Sequence, residues 1–172
     1  MAEIGIFYGS SHGNVKQIAR ELRILFGPEN ADIRNIKHAK KEDLEAYNYL
    51  IFGCSTRDAG MIQEDWEYKL AILSEIDFQN KKIALFSLGD QKHYPNSFVD
   101  GMGILYDKLN ENDVKIIGNW YPYGYIFRKS KAFKHGSFVG LALDEKFQHS
   151  ITHERLQKWT DYLKSQFKLS PN

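Results

Sequence analysis

A single cysteine, Cys54, stands among 172 residues, so no disulfide can form within the chain and the fold must be held by its core. One unpaired thiol also fits a reducing compartment. The six histidines (His12, His38, His93, His135, His149 and His153) are scattered, and none combines with the cysteine at metal-ligand spacing. No metal is therefore expected. No apolar run is long enough to span a bilayer, and the first residues pass into a strand-like segment without a basic stretch and apolar leader. The expectation is a cytoplasmic monomer that makes no use of a membrane. Charge of one sign is lacking too: 23 Lys and Arg face 22 Asp and Glu, for a formal net charge of +1. That balance carries no signal for nucleic acid. One local excess stands out, with Arg128, Lys129, Lys131, Lys134 and His135 close together. A solvated loop is the plainest reading of such a run.

What is present is ample material for one core: 42% of residues are hydrophobic and 14% aromatic. Residues 3–8 read as a short apolar strand, 9–13 as a Gly/Ser turn, and Val15, Ile18, Ala19, Leu22, Leu25 and Phe26 recur at helical spacing up to a stop at Gly27-Pro28. Weaker and stronger strands follow at 31–36 and 49–52, the latter closed by Gly53. A long turn over 54–63 leads to a helix at 64–73, and 83–88 is a fourth strand. Ser97 is placed to cap a helix with a buried stripe of Phe98, Met102, Leu105 and Leu109. A fifth strand begins at 114–117, and Thr152 is placed to cap a last helix that buries Leu156, Trp159, Leu163 and Phe167. Strands alternating with helices predict an α/β fold with a doubly wound, five-stranded parallel sheet and helices on both faces. Residues 118–137 are left over as an excursion that splits the fifth strand, which resumes within 137–143. With no repeat or linker, residues 1–172 read as one domain.

In such a sheet, ligands sit beyond the carboxyl ends of the strands where strand order reverses. The loops at 9–15, 55–63 and 89–97 should therefore share a site. The first, Gly9-Ser10-Ser11-His12-Gly13-Asn14, leaves a strand and opens a helix, where free N–H groups and the helix dipole attract a phosphate. It has neither the Gly-Lys-Ser/Thr of a Walker loop nor the glycine spacing of a dinucleotide fingerprint. On chemistry alone, an ordinary strand-to-helix turn stays open beside the phosphate reading.

Four blocks carry a more specific signal: Ile4-Gly5-Ile6-Phe7-Tyr8-Gly9-Ser10, Tyr49-Leu50-Ile51-Phe52-Gly53-Cys54, Phe86 to Gln91 with its Leu88-Gly89-Asp90-Gln91, and Phe138-Val139-Gly140-Leu141-Ala142-Leu143-Asp144. In order and over nearly the whole chain, they resemble the long-chain flavodoxins. The resemblance implies a sheet order of 2-1-3-4-5, non-covalently bound flavin mononucleotide (FMN), and a low-potential one-electron carrier working between a reductase and acceptor enzymes. Flavodoxins are themselves a standing example of a ligand at the switch point of such a sheet, so the topology and the resemblance are not independent arguments. The family's phosphate loop reads Thr/Ser-x-Thr-Gly-x-Thr. Ser10 and Gly13 match it, whereas His12 and Val15 replace hydroxyl residues. The resemblance assigns Ser10, Ser11, His12, Gly13, Asn14 and Val15 to the phosphate. Thr56, Arg57, Asp58, Ala59 and Gly60 match the segment flanking one flavin face, with Arg57 where the family usually carries Trp. An exposed cation and a guanidinium stacked on the ring both stay open there, with stacking the favoured reading. Asp58-Ala59-Gly60 resembles a peptide that flips to accept a hydrogen bond from reduced flavin N5. Asp90 matches the position that hydrogen-bonds the pyrimidine edge, Leu88 and Gly89 before it are counted with the cofactor-binding residues, and Tyr94 matches the second stacking aromatic. Lys146 and Phe147 stand where relatives tend to be acidic or polar. The changes at 12, 15 and 57 motivate an alternative: a flavodoxin-fold binding or regulatory module with weakened or lost FMN binding. An NAD(P)H-dependent quinone-reductase-type enzyme ranks last. No acid–base or nucleophilic constellation is visible.

Overall fold

The computed structural model describes residues 2–169. Its central sheet orders as β2 (Ala31–Asn35), β1 (Ile4–Tyr8), β3 (Tyr49–Arg57), β5 (Lys82–Leu88) and β6 (Ile116–Ile117), all paired in parallel. Counting only these main strands, this is the expected 2-1-3-4-5. The fifth position is split. β6 pairs with the start of β5 through Ile83 and Ala84, and β9 (Leu141–Leu143) pairs with its end through Phe86, Ser87 and Leu88. The excursion lies between the two pieces.

The strand residues alternate between two cores. Phe7, Leu50, Phe52, Ile83 and Leu85 face one side, with α3 (Glu64–Lys69) and α4 (Asp100–Asn110) over it. Ile4, Ile6, Ile51, Ala84 and Phe86 face the other, covered by α1 (Asn14–Phe26) and α5 (Thr152–Gln166). The period of two in the strands and the 3.6-residue stripes of the helices interlock around one sheet. Burial of this kind stabilises by about 25 cal/mol per Å² of apolar surface removed from water.

Several local expectations need correction. β3 does not stop at Gly53: it runs to Arg57 and turns back into β4 (Met61–Ile62) as a short antiparallel hairpin, so most of the expected long turn is strand. A short helix, α2 (Lys41–Glu45), anchored by buried Leu44, has too few apolar positions to show a period. Ser97 does not cap α4. Val99 occupies the cap position at φ 49°, and Ser97 only accepts the Asp100 N–H through its backbone carbonyl. Thr152 is the first residue of α5, and its hydroxyl donates to Glu145 instead of capping. The strand expected within 137–143 is interrupted. Ser137–Phe138 (β8) pairs back with Phe133–Lys134 (β7), and only Leu141–Leu143 joins the main sheet.

The excursion is fastened by aromatic packing. Phe138 lies within 5.0–5.9 Å, centroid to centroid, of Phe98, Tyr125, Phe127 and Phe133. The Tyr125 hydroxyl donates to the Ala142 carbonyl at 2.6 Å, satisfying an acceptor on β9. Gly103 of α4 lets the excursion approach: a Cβ there would stand 2.5 Å from the Lys131 carbonyl oxygen.

Candidate functional site

At the carboxyl ends of β1, β3, β5 and β9 the loops enclose one cleft. Ser10, Ser11, His12, Asn14 and Val15 line it from the first loop, and Ser55, Thr56 and Asp58 from the second. Leu88, Gly89, Asp90, Tyr94, Ser97, Phe98 and Val99 come from the third, and Glu145 and Lys146 from the segment after β9. The loops expected to meet do meet. Gly13, Arg57, Ala59 and Gly60 belong to these loops but do not line the cleft.

The first loop is arranged as a set of donors. α1 opens from Gly13, at φ +85°, a conformation only glycine adopts without strain. The helix has no side-chain cap and no acidic residue in its first turn, so its leading N–H groups face outward uncompensated. Ser10 Oγ accepts the Gly13 N–H at 3.0 Å, and Ser11 Oγ accepts from Gln63 Nε2 at 3.3 Å. Each hydroxyl therefore keeps its own proton to donate. This donor set, with no carboxylate in it, fits a phosphate. Val15 is 2% exposed and belongs to the α1 core, with one edge on the cleft.

The second loop is held from beneath. Trp66, fully buried, donates its indole N–H to the Gly53 carbonyl at 2.7 Å. The Gln63 side chain accepts the Asp65 and Trp66 N–H groups and so caps α3. Asp58 (φ 48°) and Gly60 (φ 108°) make the tight turn of the β3–β4 hairpin. The Arg57 guanidinium turns away from the cleft. Its Nε donates to the Ile62 carbonyl at 3.0 Å, and a terminal nitrogen pairs with Glu67. The cation is therefore engaged by α3 rather than presented to a ring.

The third loop carries Tyr94 on the rim with half of its surface open, 49% exposed. An aromatic with a free face offers a platform for a planar ring. Asp90 is fixed by its neighbours. Its carboxylate accepts the His93 N–H at 3.0 Å, meets His93 Nδ1 at 2.8 Å and lies 3.7 Å from Lys146 Nζ. Burial works to raise this carboxyl, but the His93 backbone and ring and the Lys146 ammonium outweigh it and hold it below the usual carboxylate range. Behind the cleft, burial pushes the Cys54 thiol up to about 12, with Ser87 Oγ at 3.6 Å, so Cys54 is an inert filler.

Ser55 and Ser97 lie in the loops expected to meet but were not singled out, whereas Phe98, Val99, Glu145 and Lys146 were not anticipated as cleft residues. Ser97, Phe98 and Val99 look like a helix start in the sequence, but α4 begins only at Asp100. Glu145 and Lys146 follow the fifth strand, where the carboxyl-end rule points. The excursion conceals where that strand ends. Asp144, fully buried, organises the segment: one carboxylate oxygen accepts the Lys146 and Phe147 N–H groups, and the other accepts the Gln91 N–H at 3.1 Å.

A doubly wound sheet with a phosphate-competent helix start, an exposed aromatic and a third loop in one cleft defines an α/β protein built to hold a nucleotide-like cofactor. The family model described as Flavodoxin matches residues 6–159. The flavodoxin of Synechococcus elongatus is 43% identical over 170 residues, covering 98% of this chain and 100% of that protein. That of Nostoc is 41% identical over 97% of this chain and 98% of its own. The crystal structure of Fusobacterium nucleatum flavodoxin bound to flavin mononucleotide superposes with a TM-score of 0.91 at 32% identity, covering 98% of this chain and 100% of that one. The chain belongs to the flavodoxin family.

Proposed function

We propose that the protein carries single electrons with FMN held non-covalently in this cleft, the whole chain serving as one domain. The observation that carries the reading is the convergence of the uncapped, acid-free start of α1 with the exposed face of Tyr94. Ser10, Ser11 and the first N–H groups of α1 hold the phosphate. Tyr94 covers the ring. Leu88, Phe98 and Val99 give the cleft an apolar wall that sheds water from the ring's surroundings. The Asp58–Gly60 turn, with two residues already in the left-handed region, gives the backbone the freedom to redirect a carbonyl toward the ring. Bound FMN supplies the redox chemistry, and the protein sets its affinity and potential. The chain acts as a carrier and not as an enzyme: a reductase loads it, an acceptor enzyme discharges it, and it works as a cytoplasmic monomer. His12 brings an imidazole to the phosphate loop. Arg57 leaves its side of the ring without an aromatic cover, which puts more of the binding on Tyr94.

The test is titration of the apoprotein with FMN. Expected are a yellow, stoichiometric complex, quenched flavin fluorescence and a loss of affinity in Tyr94→Ala. Free-flavin fluorescence that persists at stoichiometric protein would overturn the reading and favour a binding module that has lost the cofactor.

A further inference from the structure

The two lips of the cleft carry opposite charge. On the Tyr94 lip, Lys92 is exposed with its ammonium 3.9 Å from the centroid of the Phe147 ring. The excursion's basic run is brought to the same place by backbone bonds, for the N–H groups of Arg128 and Lys129 both donate to the Pro95 carbonyl, at 2.7 and 2.9 Å. Lys146 closes the cluster, its side chain 77% exposed. Lys92, Arg128 and Lys129 have no carboxylate partner among the described residues. The acids of this lip are spent internally. Asp90 is held by His93 and Lys146, Asp144 is fully buried on backbone N–H groups, and Glu145 is taken by Thr152 and His149. Across the cleft, exposed Asp58, Glu64 and Glu67 with half-buried Asp65 form an acidic lip that Arg57 only partly offsets. Between the cations lie exposed apolar groups, Tyr94, Ile126 and Phe147.

We propose that the lip formed by Lys92, Arg128, Lys129 and Lys146 docks an acidic face of a redox partner protein and seats that partner over Tyr94. The inference rests on the electron-carrier reading and specifies its partner. Cations of which three are unpaired, interleaved with exposed apolar groups, suit a protein face, because the charges steer the encounter and the apolar groups are buried on contact. The opposite sign of the far lip makes docking oriented: a partner turned end for end would set its acids against Asp58 and Glu64. Arg128 and Lys129, part of a run whose plainest reading in the sequence is a solvated loop, acquire this role from the two bonds to Pro95.

The test measures binding of the full chain, with and without FMN, to two haem proteins of opposite charge: the acidic soluble domain of cytochrome b5 and basic cytochrome c. Expected is a preference for cytochrome b5 that fades as salt is raised from about 20 to about 200 mM. Lys92→Glu/Lys129→Glu should slow association with cytochrome b5 by roughly tenfold or more. Glu64→Lys should leave that association within about twofold or speed it. Arg128→Glu, at a separate point of the lip, repeats the first test should the double variant fold poorly. None of these side chains lines the cleft, so FMN affinity stays unchanged. The binding readout needs no flavin, so failure of the cofactor reading and failure of the docking reading appear separately. A preference for cytochrome c, insensitivity to the charge reversals, or equal binding of phosphatidylserine vesicles or a single-stranded oligonucleotide would overturn the proposal.

Discussion

Val15→Thr tests the phosphate loop because one hydroxyl should act with opposite sign in the empty and loaded protein. Val15 is 2% exposed, packed in the α1 core and edged on the cleft. Valine and threonine match in shape but not in chemistry. In the apoprotein the new hydroxyl is largely buried, and burying it without a partner costs about 1–3 kcal/mol. At about 2–4 °C per kcal/mol for a chain of this size, the apoprotein should melt several degrees lower. With FMN bound, the same hydroxyl can reach the phosphate, and a hydrogen bond to a charged group contributes about 1.5–3 kcal/mol. The affinity should rise by about ten- to a hundredfold, since about 1.4 kcal/mol is a factor of ten. Thermal melts of the apoprotein and calorimetric titration with FMN measure the two halves. An apoprotein that melts as the parent does, together with unchanged affinity, would mean that the hydroxyl faces open solvent and that the loop holds no phosphate beside residue 15. A lower melting point with unchanged affinity would keep the burial argument and refute the phosphate assignment. His12→Thr separates the neighbouring position: it is exposed, so it should leave the melting point nearly unchanged.

Tyr94→Ala should weaken FMN binding by about tenfold or more, in line with about 1–3 kcal/mol for an aromatic stacking contact, while the half-exposed position leaves apoprotein stability within about 0.5 kcal/mol; fluorescence titration and denaturant melts check both. For Asp90, burial raises the carboxyl but His93 and Lys146 win and depress it. A depressed carboxyl contributes stability above its unfolded pKa of about 3.9 and loses it as pH falls through the lower folded value. Asp90→Asn should therefore be less stable than the parent at neutral pH, with the gap closing in acid; a gap independent of pH would rule out the ion-pair account. Gly103→Ala drives a methyl into the Lys131 backbone, so it should destabilise by about 1–3 kcal/mol and loosen the excursion, read as faster amide exchange at residues 131–133. Cys54 should react with a thiol reagent only as fast as the protein opens, because the buried thiol stays protonated; stoichiometric labelling of the native protein within seconds would contradict that.

Periodicity alone determined the alternation of strands and helices, the parallel sheet and the two-sided core, because apolar spacing is a local property that survives in any tertiary context. The meeting of the 9–15, 55–63 and 89–97 loops also followed from the sequence, since parallel strands must discharge their loops at one end. Other features depended on distant contacts. The reach of β3 to Arg57 exists because β4 pairs back onto it, and Gly53, which looks like a stop, is needed where the Phe86 ring presses on that backbone. The direction of the Arg57 guanidinium was decided by Glu67 and the Ile62 carbonyl, neither of which the local motif names. The late start of α4 goes with the Phe98 N–H donating to the Lys129 carbonyl of the excursion, and the Thr152 hydroxyl is taken by Glu145 seven residues upstream. The charge of the Tyr94 lip was settled by Pro95 holding the backbone at 128–129, a contact across more than thirty residues. Composition counts charges. Only the folded chain determines which of them are neutralised internally and which face a partner.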